Sequence, residues 1–353
     1  MPKQQQRGIG DADESSTSRH HAPVATSAPA AGPWRMGIIS NPNSGSNQKK
    51  FARIRRYVDE QRDLPHKIVT NAEDVVRALE ELARRDTNLI AVNAGDGTIH
   101  AVLTALFHHR PFPTLPLLAL LSGGTTNMTP KDLGLQGSRI QSLARIRAWS
   151  QSGGGEGFIV RRPILRVRHP TIRRPLYGLF FGAASIAKGI DLFHARIQGT
   201  GLKGNPANAL ILARFLVAIA ARDLDQLGAA RATITVDGRT LPAEHFILIL
   251  TYTLERLIFG MQPHWGEEDG ALRLTAAAAT ARHFLRVMAA MCQGRRSRMA
   301  IPPNGFYSHN AHEVRMALDG RFALDGERFE VDARQGELVL DAGGQAAFLQ
   351  LSR

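Results

Sequence analysis

An apolar run that ends in a glycine-rich loop decides the fold of this chain. Asn88–Val92 (NLIAV) is followed directly by Asn93–Thr98 (NAGDGT), and Ile99–Phe107 then has the apolar spacing of a helix. A short apolar run bounded by turn residues is typical of a buried strand. The stretch therefore predicts a strand, a loop and a helix in that order. In a parallel sheet, such a loop lies at the carboxyl end of its strand, where ligands bind.

Two other segments repeat this arrangement. Met36–Ser40 leads into Asn41–Gly45 (NPNSG), and Leu115–Leu121 leads into Ser122–Asn127 (SGGTTN). Strands that alternate with helices in this way predict a parallel sheet covered on both faces. Glycine lets the backbone approach a phosphate, and the free N–H groups at a helix start favour anions. The three loops therefore predict a phosphate-binding edge, although the chain has no GxxxxGK[ST] loop and no GxGxxG in its first βα turn.

The sequence pattern changes after a glycine-rich segment at residues 153–157. Short apolar runs separated by turns such as Asp237-Gly238 then predict a β-rich domain, a sandwich, with helical inserts near Asn208–Leu227 and Ala276–Met291. We therefore expect an α/β nucleotide-binding domain over residues 34–152 and a β-sandwich domain over residues 158–345. Residues 1–33 have little apolar periodicity and are expected to form a disordered tail.

Composition excludes several classes of protein. The chain has 353 residues and 43% hydrophobic residues, so it can bury a core without disulfides. Its single cysteine, Cys292, excludes an internal disulfide framework and a cysteine-based zinc site. No stretch of 18 uninterrupted apolar residues and no secretory signal are present. We therefore expect a cytoplasmic protein with no membrane span.

The net charge of +13 is concentrated in one segment. Residues 158–204 contain nine Lys or Arg and one acid, whereas residues 205–353 are neutral as a whole. Arg166 and Arg168 lie two residues apart and so share one face of a predicted strand. That face is either simply solvated or docks peripherally on an anionic membrane. A nucleic-acid partner is not expected, because the chain has no zinc finger and few aromatic residues.

Taken together, the loops resemble a known family. Asn41–Gly45, Gly95–Thr98 and Gly124–Asn127, in this order and spacing, resemble the diacylglycerol kinase catalytic domain family, which includes bacterial lipid kinases and sphingosine kinases. Further resemblances are found at Phe181–Ile186 (FGAASI), Glu268–Leu272 (EDGAL) and Leu324–Glu327 (LDGE). The resemblance covers roughly residues 35–345. It implies an NAD kinase/phosphofructokinase-like first domain, an ATP site in the cleft between two domains, and Mg²⁺-dependent transfer of the γ-phosphoryl group to a lipid hydroxyl.

The resemblance also implies roles for individual residues. Asp325 is expected to be the general base and Glu327 to be linked to metal or nucleotide. Sphingosine kinases give the base role to the residue at Asp96, so the division between Asp325 and Asp96 stays open. Asp96 and Glu327 are expected to bind metal, and Asp269 is a candidate for a structural metal site. Contacts with the nucleotide and its phosphates are expected from Asn41, Ser44, Gly45, Gly95, Asp96, Gly97, Thr98, Thr125 and Asn127.

Two positions depart from the family pattern. Ala101 stands where an acid usually follows the second loop, and Met128 stands where many relatives have Asp. These changes leave open a catalytically degenerate nucleotide-binding protein. A kinase of NAD or another small metabolite is a further alternative, although the NE pair typical of NAD kinases is absent after Asp96. Homo-oligomerisation is left open, because nothing in the sequence specifies it.

Overall fold

The first part of the chain forms the expected parallel sheet. A computed structural model describes residues 33–48, 51–61, 63–135, 137–154, 159–187 and 228–351; the predicted tail up to residue 32 and the predicted insert Asn208–Leu227 lie outside them. The elements of this part are β1 (Met36–Ser40), α1 (Phe51–Asp59), β2 (His66–Ile68), α2 (Ala72–Ala83), β3 (Leu89–Ala94), α3 (Asp96–His109), β4 (Leu117–Ser122), α4 (Met128–Leu133) and α5 (Arg139–Gln151). The strands are parallel in the order β2-β1-β3-β4.

Local sequence explains these elements. β1 and β3 are buried along their whole length, which is why they read as continuous rather than alternating apolar runs. Asn71 caps α2, because its side-chain oxygen accepts a hydrogen bond from the Asp74 N–H at 2.8 Å. Val75, Leu79 and Leu82 recur at helical spacing and bury one face of α2.

The second part of the chain is rich in strands. They are β5 (Ile159–Arg168), β6 (Leu176–Gly178), β7 (Phe180–Ala184), β8 (Ala230–Val236), β9 (Arg239–Thr240), β10 (His245–Tyr252), β11 (Leu272–Ala278), β12 (Phe306–Ala311), β13 (Glu313–Leu318), β14 (Gly320–Leu324), β15 (Glu327–Val331) and β16 (Leu338–Leu349), with a helix α6 (Phe284–Cys292) between β11 and β12. β5, β6, β8, β9, β13 and β16 form one group of paired strands and β7, β10, β11, β12, β14 and β15 another, and the two groups are joined where β8 pairs with β10. Side chains of both groups, such as Met316 and Phe322, share one buried cluster, as a sandwich requires.

Two boundaries differ from the sequence prediction. The strand expected over Pro175–Phe181 is divided into β6 and β7 at Leu179, because the Leu179 and Phe180 N–H groups donate to the Asp325 carboxylate. The helix expected over Ala276–Met291 begins only at Phe284, because residues up to Ala278 continue β11. Within the described ranges, no helix is long and apolar enough to cross a membrane.

The last strand connects the two parts. β16 pairs antiparallel with β5 along most of its length, and near its end Phe348 pairs with Leu118 of β4 in parallel. Leu349 packs in the same cluster as Trp34 and Trp149 of the first part. Residues beyond 345 therefore complete the core of the first domain.

Candidate active site

Three loops meet at the carboxyl edge of the parallel sheet. We call residues 41–48 loop 1, residues 95–98 loop 2 and residues 123–127 loop 3. The Ser44 Oγ of loop 1 accepts a hydrogen bond from the Gly95 N–H at 3.2 Å, and Asn41 Nδ2 donates to Thr98 Oγ1 at 2.9 Å. The Ser46 N–H donates to the Gly123 carbonyl of loop 3 at 3.1 Å. The structure thus brings the three predicted loops into direct contact.

Glycines allow the loops to approach this closely. A Cβ atom on Gly124 would lie 2.6 Å from Gly95 Cα, and a Cβ atom on Gly45 would overlap Thr125 Oγ1. The backbones of loops 2 and 3 therefore lie in close contact at Gly95 and Gly124. This arrangement suits the binding of an anion such as a phosphate.

Asp96 braces loop 3 from the first turn of α3. Its carboxylate accepts hydrogen bonds from the Thr129 N–H at 2.9 Å and the Met128 N–H at 3.1 Å, at the start of α4. Burial raises the pKa of Asp96 above its ordinary value, and the two N–H groups act in the opposite direction. Both carboxylate oxygens are thus engaged in holding the loop.

Asp325 is a buried residue in the turn between β14 and β15. Its φ angle of 49° lies in the left-handed region that Asp tolerates better than most residues. The carboxylate accepts hydrogen bonds from the Phe180 N–H at 2.9 Å and the Leu179 N–H at 3.0 Å. Burial, and after it the negative charge of Asp96, raise the pKa of Asp325 well above the ordinary range. A group of this kind can exchange a proton at a pH where most carboxyls remain ionised.

Glu327 carries a second carboxylate from the sandwich to loop 2. A Cβ atom on Gly97 would overlap Glu327 Oε1, so this oxygen lies directly against the start of α3. Glu327 is exposed, whereas Asp325, two residues earlier, is 1% exposed. The sequence-predicted acids Asp96, Asp325 and Glu327 therefore all lie where the sandwich meets the N-terminus of α3.

Loop 3 is shaped by its own side chains. Asn127 has a φ angle of 51°, its Oδ1 accepts from the Gly124 N–H at 2.6 Å, and its Nδ2 donates to the Gly124 carbonyl at 2.8 Å. Thr125 lies next to Gly45 of loop 1. Asn127 was expected to contact the nucleotide, and the structure shows that its side chain also fixes the loop.

Sequence reasoning missed two residues that support loop 1. The buried Asn47 donates from Nδ2 to the Asn41 carbonyl at 2.7 Å and to the Asn93 carbonyl at 2.9 Å. Its Oδ1 accepts from the guanidinium of Arg139, which also donates to the Ser46 carbonyl at 3.2 Å. Asn47 could have been found as a further amide in a polar loop. Arg139 gives no signal of this kind, because it lies 92 residues away along the chain.

His100 of α3 is a third residue of this region whose surroundings only the structure shows. A lone histidine near a helix start is more often a surface or capping residue, but His100 is 7% exposed, and its ring lies 6.0 Å, centroid to centroid, from Phe329 of β15. Burial lowers the pKa of His100 to about 4, and a hydrogen bond with the Tyr177 backbone acts in the opposite direction. The Nδ1 atom has no hydrogen-bond partner among the described residues. His100 is therefore a neutral side chain between α3 and the sandwich.

A dedicated metal cage is not found in the described part of the chain. No group of three or more His, Cys, Asp and Glu side chains there is placed to hold a metal ion. Asp269 is exposed in the turn before β11, and its neighbour Glu268 is bound to His309 Nδ1 at 2.7 Å and to the Asn310 N–H at 3.0 Å. The structural metal site suggested at Asp269 stays a prediction.

Comparison with known proteins identifies the first domain. Residues 35–152 match the family model described as "Diacylglycerol kinase catalytic domain". The diacylglycerol kinase of Bacillus subtilis (strain 168) is 33% identical over 113 residues, which are 31% of this chain and 36% of that protein. The sequence match thus spans about a third of the length of this relative.

The likeness of fold extends further along the chain. A diacylglycerol kinase and a putative diacylglycerol kinase from Bacillus anthracis str. Sterne have TM-scores of 0.54 and 0.59, at 16% and 17% identity. Each comparison covers 89% of this chain and 96% of the other. The resemblance that the three loops indicated is therefore confirmed: residues 35–152 match the diacylglycerol kinase catalytic domain, and most of the chain shares the fold of these bacterial proteins.

Proposed function

We propose that this protein is a lipid kinase that transfers the γ-phosphoryl group of ATP to a hydroxyl of a diacylglycerol- or sphingoid-like lipid. The observation that carries the proposal is the meeting of Asp325 and Glu327, from the sandwich, with the glycine-rich start of α3. Phosphoryl transfer needs positioned phosphates, compensation of their charge and a group that takes the hydroxyl proton. The loops can supply the first and a carboxylate the third, while a Mg²⁺ ion held by a carboxylate would compensate the phosphate charge. The names of the relatives support a lipid acceptor.

Loops 1 to 3 are proposed to hold the nucleotide. Their contacts with one another fix the loop backbones before any ligand binds, so little reorganisation is needed when phosphates arrive. The hydroxyl oxygens of Ser44 and Thr98 accept hydrogen bonds from other loop residues. Their O–H groups would donate to the phosphates. Asn47 and Arg139 support loop 1 from behind and act as positioning residues.

Asp325 is proposed to be the general base. Its two N–H donors fix the carboxylate, and Oδ2, which accepts only from the Leu179 N–H, retains a lone pair that can accept the proton of a lipid hydroxyl. Asp96 contributes by keeping loop 3 in place and by raising the pKa of Asp325.

The residues present fit a magnesium ion that arrives with the nucleotide. Mg²⁺ is usually bound through one or two carboxylates together with substrate phosphates and water. Glu327, exposed and beside Gly97, would hold it, with Asp96 as the second predicted ligand. When bound, the ion would spread the negative charge that develops on the transferred group.

A radiolabelled ATP assay with lipid and water-soluble acceptors tests this function. We expect label in the lipid extract with wild type, and a loss of about 10²- to 10⁴-fold with Asp325→Asn, as for removal of a general base. The matched control is Asp237→Asn, which changes another Asp-Gly turn with a φ angle of 45°. Label in a soluble product would instead identify a small-metabolite kinase.

A nucleotide-binding protein without catalysis is the second candidate. It is favoured by Met128, which is 8% exposed and places no carboxylate beside loop 3. Intact ATP binding together with no transfer to any acceptor would support it.

Unchanged lipid phosphorylation by Asp325→Asn would show that the base lies elsewhere.

A further inference from the structure

A basic surface lies around α6, far along the chain from the basic block that the sequence emphasised. Residues 280–301 contain five arginines and no Asp or Glu. We call this surface the α6 face; it comprises Arg282, Leu285, Arg286, Met288, Ala289, Arg295, Arg296, Arg298 and Ile301. Its charge is hidden in the total for the C-terminal region, because the acids of that region lie elsewhere in the sequence.

The α6 face also exposes large apolar side chains. α6 buries Phe284, Val287 and Met291 in the core, whereas Leu285 on the other side is 42% exposed. Ile301 is 40% exposed. Across the described ranges only three large hydrophobic side chains are exposed to this degree, and two of them lie here.

Backbone contacts hold Ile301 next to the start of α6. The Arg282 N–H donates to the Asn304 carbonyl at 2.9 Å, in the turn that Ile301 begins. The Phe284 ring stacks on Phe306 at 6.0 Å, and the Phe306 N–H donates to the Ile301 carbonyl at 3.3 Å. Ile301 and the first turn of α6, which carries Leu285, are therefore neighbours in the fold.

Most of the arginines on the α6 face are not neutralised by the protein. Arg296 lies 3.4 Å from Glu267. Arg282, Arg286, Arg295 and Arg298 have no ion-pair partner in the part of the chain that the structure describes.

The arginines of β5, by contrast, form ion pairs with acids of the protein. Arg166 and Arg168 both bind Asp341, at 2.7 and 2.8 Å, and Arg162 lies 3.3 Å from Glu255. The strand face that the sequence suggested for membrane docking is therefore partly neutralised within the protein, because Asp341 serves both Arg166 and Arg168.

We propose that the α6 face docks this protein on an anionic lipid bilayer. Exposed apolar side chains ringed by arginines are the features of a helix that lies in a membrane interface, with the apolar groups at the acyl boundary and the cations among anionic headgroups. Nucleic acid would leave Leu285 and Ile301 in water. The inference rests on the proposed function, since a lipid kinase takes its acceptor from a bilayer.

The α6 face is connected to the cleft by residues 253–265. At one end of this segment, the Thr253 N–H donates to the carbonyl of Leu179, whose own N–H binds Asp325. Near the other end, Met261 Sδ lies 3.4 Å from Cys292 Sγ at the end of α6. Docking through α6 would therefore bring the membrane to an element continuous with the wall of the proposed active site.

Vesicle sedimentation tests the charged part of the surface. We expect wild type to bind vesicles of phosphatidylcholine mixed with phosphatidylglycerol, and not vesicles of phosphatidylcholine alone. Arg286→Glu/Arg295→Glu/Arg298→Glu should weaken binding at least about tenfold, since each basic residue near an anionic surface contributes roughly fivefold. Two controls should bind like wild type: Arg53→Glu/Arg84→Glu/Arg85→Glu, which makes the same charge change on exposed arginines of the first domain, and Arg173→Glu/Arg174→Glu in the basic block.

A fluorescent label tests the apolar part without a loss-of-binding variant. In Cys292→Ser/Leu285→Cys, a polarity-sensitive fluorophore on residue 285 should shift its emission to the blue with anionic vesicles. The absence of this shift would overturn the proposal. The proposal would also fall if a first-domain or basic-block control lost vesicle binding while the α6 variant kept it. Binding of duplex RNA through the same arginines without vesicle binding would overturn it as well.

The outcome is separable from that of the kinase proposal. Phosphorylation of a short-chain, water-soluble diacylglycerol should be the same in wild type and the α6 variant, because no bilayer is needed. Arginine-dependent vesicle binding without any transfer would leave the docking surface standing and refute the kinase. Transfer to vesicle lipid that is the same in wild type and the α6 variant would support the kinase and refute the docking surface.

Discussion

At the residue scale, Asp325 is held in an electrostatic environment that its neighbours can adjust. Its carboxylate is fully buried, and the nearby Asp96 adds a like charge, which further disfavours ionisation of Asp325. Only the two N–H groups of Leu179 and Phe180 favour the charged form. A base in this environment should lose its proton at a higher pH than an ordinary carboxyl.

The pH dependence of catalysis should therefore respond to Asp96. We expect the rate to rise with pH as Asp325 deprotonates, with an acid limb above the ordinary carboxyl range. Asp96→Asn removes the neighbouring charge and should move that limb to lower pH, although burial, the larger cause, remains. The measurement is kcat against pH, with Asp237→Asn as the control. An acid limb that stays in place would argue against Asp325 as the titrating group.

The same acid should also affect stability. A raised pKa in the folded state means that stability from Asp325 is present below the unfolded pKa and is lost as pH rises through the folded value. The Asp325→Asn variant of the transfer assay should thus be inactive without being destabilised at neutral pH, because Asn Oδ1 can accept from both N–H groups and Asn tolerates a positive φ angle.

His100 should make the protein sensitive to acid. Its pKa is lowered to about 4 by burial, so the unfolded chain binds a proton between pH 6.5 and 4 that the folded protein does not. Stability is therefore full above pH 6.5 and falls as pH decreases toward 4, by about 3 kcal/mol from this residue. Protonation of Asp96 and Asp325 affects the stability of the fold in the opposite sense to protonation of His100. The contribution of His100 must therefore be measured by comparing variants.

The comparison uses urea unfolding across this pH range. In His100→Gln, the dependence of the unfolding free energy on pH should be shallower than in wild type. The exposed His283→Gln should leave the dependence unchanged. Equal slopes in wild type and His100→Gln would show that His100 does not become buried and neutral on folding.

At the scale of elements, the close contact of loops 1 and 3 is open to a direct test. Gly45→Ala introduces a Cβ atom that would overlap Thr125 Oγ1 and should push the loops apart. We expect weaker ATP binding, by about tenfold or more, in a calorimetric titration. Gly45→Ala/Thr125→Ala removes the overlapping oxygen and should recover part of the affinity. No recovery would mean that Gly45 is needed for another reason.

The sequence predicted these loops well but not what holds them. Each loop follows a buried apolar strand, so periodicity and glycine placement were sufficient to predict that the loops meet at one edge of the sheet. The contacts of Asn47 with Arg139 and of Glu327 with Gly97 join residues far apart in the chain, and no local pattern encodes such pairs. Tertiary pairing is likewise the reason why the division of β6 from β7 was missed.

The distribution of charge along the sequence is a second property that does not reveal contacts between distant residues. Counting along the chain correctly located the block around Arg166 and Arg168, but their partner, Asp341, lies more than 170 residues away. The arginines around α6 belong to a region with zero net charge, and a count over the whole region hides them because its acids lie elsewhere in the sequence. Net charge per segment therefore predicts a basic surface poorly when the chain returns on itself.

At the scale of the whole molecule, the return of β16 to the first domain makes the two parts depend on each other. Phe348 is fully buried and pairs with Leu118, while Gln350 Nε2 donates to the Asp132 carbonyl at 2.6 Å. The Asp132 carboxylate in turn accepts from the Glu255 and Arg256 N–H groups. The sandwich is thus attached to the sheet at both β16 and α4, which should keep Glu327 and Asp325 in place over α3.

Phe348→Ala should therefore destabilise both parts together. We expect a loss of about 3–5 kcal/mol, as for other buried aromatic truncations, against less than about 0.5 kcal/mol for the exposed Gln345→Ala on the same strand. In a Trp265→Phe background, Trp34 and Trp149, whose rings lie 5.0 Å apart, report on the first domain by fluorescence, and far-ultraviolet circular dichroism follows the strands. The two signals should change in one transition, displaced to lower urea in Phe348→Ala. Separate transitions in wild type would show that β16 does not couple the domains, and that the acids of the sandwich are positioned over α3 by the cleft contacts alone.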